Sequence, residues 1–353
     1  MLQDPSVNPL YPRGDIRAGS GALTRFVERR LAPRYGWNLE VFQGREEVFP
    51  GTRTGGFYRV LNPALYFVRP SAAISALQIG EWLRFGNSIL QLINVFALAE
   101  RYGLRRIRLP GQHLLYQGTR AGDAKLLWNG ERRFSDLALS GYFLHMRALM
   151  PPLDAGTQRR IVDDCVRPLL ARDLLHGDPR VGEDDLVMHF RGGDVFDSED
   201  IRSPGYWQPP LAYYLAAFEH DCPRRVWLVS EDRRNPTVAG VEEALRLRGV
   251  EVIVQSGALL DDLRVLLSAR RLVTAIGTFG QAVALLSSRI ETFYQFLRQP
   301  NHVLALKGVR VVSAYDAKGE FMATVAARWG ARPEDLAMMM SYPVDCIRIE
   351  QIV

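Results

Sequence analysis

Apolar positions in the second half of the chain come in short runs of strand length, each followed by a segment with helical spacing. Leu186–Phe190, Val226–Ser230, Val250–Val254 and Leu272–Ile276 are the runs. Residues 211–219, 237–248, 261–270 and 281–288 are the helical segments, the third with Asp261 or Asp262 as its cap. Such alternation predicts right-handed βαβ units on a parallel sheet. The first half carries a similar unit. Ala72–Leu77 reads as a strand and Arg84-Phe-Gly-Asn87 as a loop; Ile89, Leu90, Ile93, Phe96, Ala97 and Tyr102 then recur on one helical face. Gly103 stops that helix, and Arg105–Leu109 restarts a strand before Pro110. Further helices are expected over 134–150 and 157–175. The turn cluster His176-Gly-Asp-Pro-Arg180 marks the boundary between two α/β domains, 71–180 and 181–300. Residues 1–70, with short strands at Leu39–Phe42 and Phe57–Leu61, read as an extension packed on the first domain. Residues 301–353 read as a second extension with a strand at Val309–Val312, a helix near 320–329 and a short one after Pro333.

Composition narrows the class. A chain of 353 residues exceeds one ordinary core, and 47% hydrophobic with 24% charged residues is the balance of a soluble globular protein. The net charge is +5, carried almost wholly by Arg; Lys stands only at 125, 307 and 318. The arginines are scattered among acids, with no basic stripe of the kind a nucleic-acid binder shows, although anionic small ligands remain favoured. Cys165, Cys222 and Cys346 are far apart, so neither a disulfide framework nor a Cys/His metal motif is expected. The first residues lack the basic start and apolar core of a signal peptide, and no apolar run is long enough to cross a bilayer. A cytoplasmic protein is expected.

Four loops at strand ends carry candidate chemistry, because ligands of open α/β sheets bind at that edge. Arg84-Phe-Gly86-Asn87 places a glycine before a helix, where backbone N–H groups suit an anion; a plain helix start capped by Asn87 is the bland alternative. His189-Phe-Arg191-Gly-Gly193-Asp194 puts a planar guanidinium beside a glycine pair that lets a phosphate come close. Ser230-Glu231-Asp232 offers carboxylates for a base or ribose, or else first-turn acids of a helix. Gly277-Thr278-Phe279-Gly280 offers a hydroxyl and amides at another helix start.

In this order the four loops resemble the motifs of the fucosyltransferase superfamily, which includes α1,2-, α1,6- and protein O-fucosyltransferases. The likeness spans about residues 72–290. It implies a GT-B fold: two Rossmann-like domains facing across a cleft, with GDP-fucose held mainly by the second. It further implies that Arg191 contacts the β-phosphate and steadies the departing diphosphate, with Asp194 beside it as a brace or catalytic group. His189, Ser230, Glu231 and Asp232 would lie near the guanosine; Thr278 and Phe279 would flank the pyrophosphate or base. Arg84, Gly86 and Asn87 would face the donor from the first domain, and Gly193 would admit it. Gly192 stands where the family often has a second Arg, Ser88 where Gln commonly follows Gly-Asn, and Gly280 where Ser is common. These departures leave fucose against another sugar open, as they do a non-catalytic binder of nucleotide sugars.

The reaction so implied is inverting and metal-independent transfer to a glycan or glycolipid acceptor in bacterial polysaccharide biosynthesis, on a protein working at the inner face of the membrane. No Asp-x-Asp stands in the chain, so no metal or other cofactor is expected and Arg191 with loop amides takes the ion's role. The general base is not identified; Asp197, Glu199 and Asp200 are further candidates. Trp128, Phe134, Tyr142 and Phe143 are aromatics of either core or acceptor pocket.

Overall fold

The computed structural model describes residues 39–41, 74–79, 82–110, 118–128, 137–141, 143, 153–170, 172–196, 207–297, 306, 308–325 and 329–352. The Phe57–Leu61 strand, the loop acids Asp197, Glu199 and Asp200, and the aromatics Phe134 and Tyr142 lie outside these residues. The chain divides into two compact units, Met1–Leu169 and Leu170–Val353.

The first unit is built on a sheet of β1 (Leu39–Val41), β2 (Ile74–Ile79), β3 (Arg106–Leu109), β4 (Arg120–Ala121), β5 (Ala124–Trp128) and β6 (Leu137–Gly141). Its order is β1-β6-β2-β3-β5-β4, parallel except for the β4–β5 hairpin. Helix α1 (Phe85–Tyr102) connects β2 to β3 and buries a broad apolar face including Ile89, Ile93 and Phe96. Gly103 ends it at φ 65°, a left-handed cap that glycine adopts without steric cost. The helix expected over 134–150 is corrected in part: Leu137–Gly141 is a strand between β1 and β2. A short apolar run in a parallel sheet has no period of its own, so pattern alone cannot tell it from a helix. The helix expected over 157–175 is a broken series: α2 (Ala155–Ile161), a π turn at Val162–Val166, a 3-10 turn through Pro168, and α3 (Arg172–Leu175) in the second unit. Proline lacks the N–H that would continue the ladder.

The second unit alternates strand and helix. Its elements are β7 (Leu186–Phe190), α4 (Leu211–Asp221), β8 (Arg225–Ser230), α5 (Pro236–Leu247), β9 (Glu251–Gln255), α6 (Leu259–Ser268), β10 (Arg271–Val273), α7 (Thr278–Leu286), β11 (Thr292–Phe296), β12 (Arg310–Asp316), α8 (Glu320–Thr324), α9 (Pro333–Ser341) and β13 (Ile347–Ile352). The sheet order is β13-β12-β11-β10-β7-β8-β9. All pairs are parallel but β12–β13. Leaving β13 aside, strands one to six of the unit stand as 6-5-4-1-2-3, the doubly wound order. The chain reverses its winding between β7 and β10, and a crevice opens at the carboxyl ends of such a strand pair.

One face of this sheet is covered by α4, α5 and α9, the other by α6 and α7. Leu186, Met188, Phe190, Val226 and Leu228 point into the first layer, where they meet Tyr213, Tyr214, Trp207 and Trp329. The tail is integral to that layer: Phe321, Met339, Tyr342 and Cys346 are buried in the same core. Two local readings are corrected. The cap of α6 is Ala258, with Asp261 and Asp262 inside its first turn, where they complement the positive helix end. A last strand, β13, follows the final helix.

Candidate functional site

The reversal point gathers three of the four candidate loops. Residues 189–194 leave β7, residues 230–232 leave β8, and residues 274–279 leave β10, all on the carboxyl edge of adjacent parallel strands. Sheet register alone brings Arg191 beside Gly277, although 86 residues separate them in sequence.

Arg191 is held at both ends. Its carbonyl oxygen accepts from the Asn235 side-chain amide at 3.0 Å. Its guanidinium lies against Gly277, where a side chain would begin 3.3 Å from Nη1. Gly277 has φ 132°, a conformation few L-residues adopt, and it starts α7 with neither a side-chain cap nor an acid in the first turn. A guanidinium beside the amino end of a nine-residue helix is an arrangement whose charge and free amides suit an anion.

Asp232 braces this loop. Asp232 Oδ2 accepts from the Gly193 N–H at 3.1 Å and Oδ1 from the Arg234 N–H at 3.0 Å, with Arg234 Nε 3.4 Å away. Ser230 Oγ donates to the Asp232 carbonyl at 2.6 Å. Glu231 lies over Gly193: a Cβ there would stand 2.8 Å from Glu231 Oε2. Gly193 itself sits at φ 63°. The identity of Gly192 is explained by the same geometry, since a Cβ would lie 2.5 Å from Asp232 Oδ1. The space a second Arg would start from is filled by the brace.

His189 lies beneath the loop, 9% exposed, with its ring stacked on Phe279 at 4.8 Å. Burial, and secondarily the Arg191 charge, lower its pKa to about 3, so the imidazole is neutral at pH 7. Its Nδ1 has no hydrogen-bond partner within the described residues. Gly280 packs closely on Thr274: a Cβ there would meet Thr274 Cγ2 at 2.6 Å. That contact accounts for glycine at a position where serine is common in the resembling family.

Asp194 falls on the short turn Gly193–Phe196, but its side chain is outside the described part of the structure. Arg84, Gly86 and Asn87 belong to the first unit. Arg84 is the exposed residue before α1, Gly86 is buried and Asn87 half-buried in its first turn. Ser88 Oγ donates to the Leu83 carbonyl at 2.8 Å, closing that helix start. Among the described residues no three His, Cys, Asp or Glu side chains gather as a metal site would need, and no helix is long and apolar enough to cross a membrane.

No family model and no curated protein matches the sequence. Similar solved structures include POFUT1 in complex with GDP, at 13% identity over 63% of this chain and 98% of that one, with TM-score 0.41. Others are the E. coli ADP-heptose lps heptosyltransferase II (14% identity, 67% and 90% covered, TM-score 0.37) and a mutant of Arabidopsis thaliana FUT1 in complex with GDP (10%, 75% and 74%, TM-score 0.40). Superpositions this loose carry no assignment of their own.

Three supports of the site escaped the sequence reading. Asn235, fully buried, joins α5 to Arg191. Tyr213 of α4 donates to the Thr274 carbonyl at 3.1 Å, under the β10–α7 loop. Trp329, from the tail, donates to the Val195 carbonyl at 3.2 Å and meets Phe196 edge-on. Only Asn235 had a legible signal: Asn followed by Pro is a helix start, with the amide as cap and proline at the first helical position.

Proposed function

We propose that the second unit binds the diphosphate of a nucleotide sugar and that the protein is a glycosyltransferase of the fucosyltransferase-like, GT-B kind. The observation that carries the reading is the Arg191 guanidinium set against Gly277 at the amino end of α7, at the sheet's reversal point. A diphosphate leaving group develops negative charge as the glycosidic bond breaks, and a preorganised cation with helix amides stabilises it in the transition state. Arg191 takes that role without a metal; His189, kept neutral, adds no second charge and backs the loop. Glu231, which lies over Gly193, is the acid proposed to meet the nucleoside, while Asp232 is a brace. The motif order shared with fucosyltransferases makes GDP-fucose the donor proposed, and a glycan or glycolipid of polysaccharide biosynthesis the acceptor, with inversion at the sugar carbon. The protein acts in the cytoplasm, at the inner face of the membrane.

The test is a thermal-shift screen with GDP, UDP, ADP, TDP and CMP, since a ligand that binds only the native state raises its stability. GDP is expected to give the largest shift. A donor screen read by mass spectrometry of the transferred sugar then identifies the substrate. A clear response to UDP or CMP with none to GDP rejects the fucosyl reading. Silence to all five rejects nucleotide binding.

A further inference from the structure

We infer that Asn235 is a positioning residue for Arg191, an inference that rests on the nucleotide-binding reading above. Asn235 is fully buried at the start of α5. Its Oδ1 accepts from the Thr237 N–H at 3.0 Å and from Thr237 Oγ1 at 2.6 Å, which caps the helix. Its Nδ2 donates at 3.0 Å to the carbonyl of Arg191 itself. As a cap, Asp is as good as Asn, and Ser nearly so. Neither supplies an N–H reaching the Arg191 carbonyl, so the amide does something here that capping does not require.

The bond lands on the residue whose side chain meets Gly277. Rotation of that peptide swings the base of a long side chain, so a small backbone change becomes a large displacement of the guanidinium. The anchor is firm, because Val238, Val241 and Leu245 of α5 are buried in the core. On the far side, Asp232 holds the Gly193 N–H. The Arg191–Gly193 peptides are thus clamped from α5 and from the β8 loop. An anion drawing on the guanidinium works against both clamps, and the arginine arrives with its direction already set.

The experiment is calorimetric titration of GDP into the full chain and into Asn235→Asp, Asn235→Ser, Arg191→Ala and the double variant Asn235→Asp/Arg191→Ala. Asn235→Ser and Asn235→Asp are each expected to weaken GDP about tenfold, the scale of one hydrogen bond lost; both keep the cap, but Asn235→Asp is expected to melt earlier than Asn235→Ser because its buried carboxylate faces the Arg191 carbonyl. The double variant is expected to bind no more weakly than Arg191→Ala alone, because the tether acts only through the arginine. A merely structural residue would instead weaken both backgrounds by the same factor, and that result overturns the inference. So does parental affinity in Asn235→Asp. Asn235→Ser, which caps but is too short to reach Arg191, is read in the same way if the first variant melts earlier. A parent chain that binds no GDP defeats the nucleotide reading itself, a separate outcome seen before any variant is compared.

Discussion

At the scale of residues, the loop after β7 owes its identity to what surrounds it. Arg191→Ala removes the guanidinium set against Gly277 at the amino end of α7; on the proposed function, turnover is expected to fall about 10²–10³-fold, as for other transition-state donors, and near-normal rates would remove Arg191 from the mechanism. Gly192→Arg would restore the side chain common in the resembling family, yet it must push Asp232 off the Gly193 N–H. A loss of about 1–3 kcal/mol in denaturant unfolding is expected, with no gain in nucleotide affinity. His189 makes an acid-side prediction. Its native pKa near 3 lies below the unfolded value, so below pH 6.5 the unfolded chain takes up a proton that the native state refuses. Stability therefore falls as pH drops from about 6.5 towards 3, by up to about 1.4 kcal/mol per pH unit from this group. His189→Phe, which keeps a ring against Phe279, should flatten that slope in unfolding measured across the window; an unchanged slope would show that His189 is not buried neutral.

At the scale of elements, the two edges of the second sheet do different work. The carboxyl edge holds the loops of the site; the opposite edge holds the sheet together. There Asp185, 5% exposed, accepts from the Gly182 N–H at 2.8 Å, Arg225 Nε at 2.9 Å and Trp227 Nε1 at 2.8 Å. Burial alone would raise its pKa, but Arg225, the Gly182 amide and Trp227 together hold it below the ordinary carboxylate range. Asp185→Ala leaves the Trp227 N–H buried and unpaired, for an expected cost of about 2–4 kcal/mol. Nucleotide affinity should be unchanged in the folded variant, because the substitution lies at the edge away from the loops. Equal losses in stability and affinity would contradict this division of labour. Much of the element pattern was legible: the strands of the second unit and the helices after them follow the apolar runs closely. The exceptions were β4, β5 and β6 of the first unit and β11 and β13 of the second, runs too short to carry a clear period.

At the scale of the whole molecule, the tail changes from an appendage to part of the second core. Arg310–Ala314 of β12 pair with the whole of β11, and Val312, Ala314, Phe321 and Trp329 bury against the same layer as Met188 and Phe190. A chain ended at residue 300 would leave Tyr294 and Phe296, both fully buried, on an open strand edge, and would remove Trp329 from the Val195 carbonyl. Such a fragment is expected to lack cooperative unfolding and to aggregate, as circular dichroism and light scattering would show. A soluble, cooperatively melting fragment would mean that the tail is dispensable.

What the sequence determined by itself was local: which runs are strands, which segments are helices, and which glycine-bearing loops fall at strand ends. These follow from side-chain period, capping and proline or glycine conformation, all of which act over a few residues. The tertiary structure decided which loops meet. β10 pairs with β7 and not with its neighbour in sequence, β9, and that choice sets Gly277 against Arg191. It also decided the Asp232 brace on the Gly193 N–H and the reason for glycine at 192, because both depend on where a carboxylate from one strand end lies over the backbone of the next. Such contacts arise from long-range strand order, which no local period encodes.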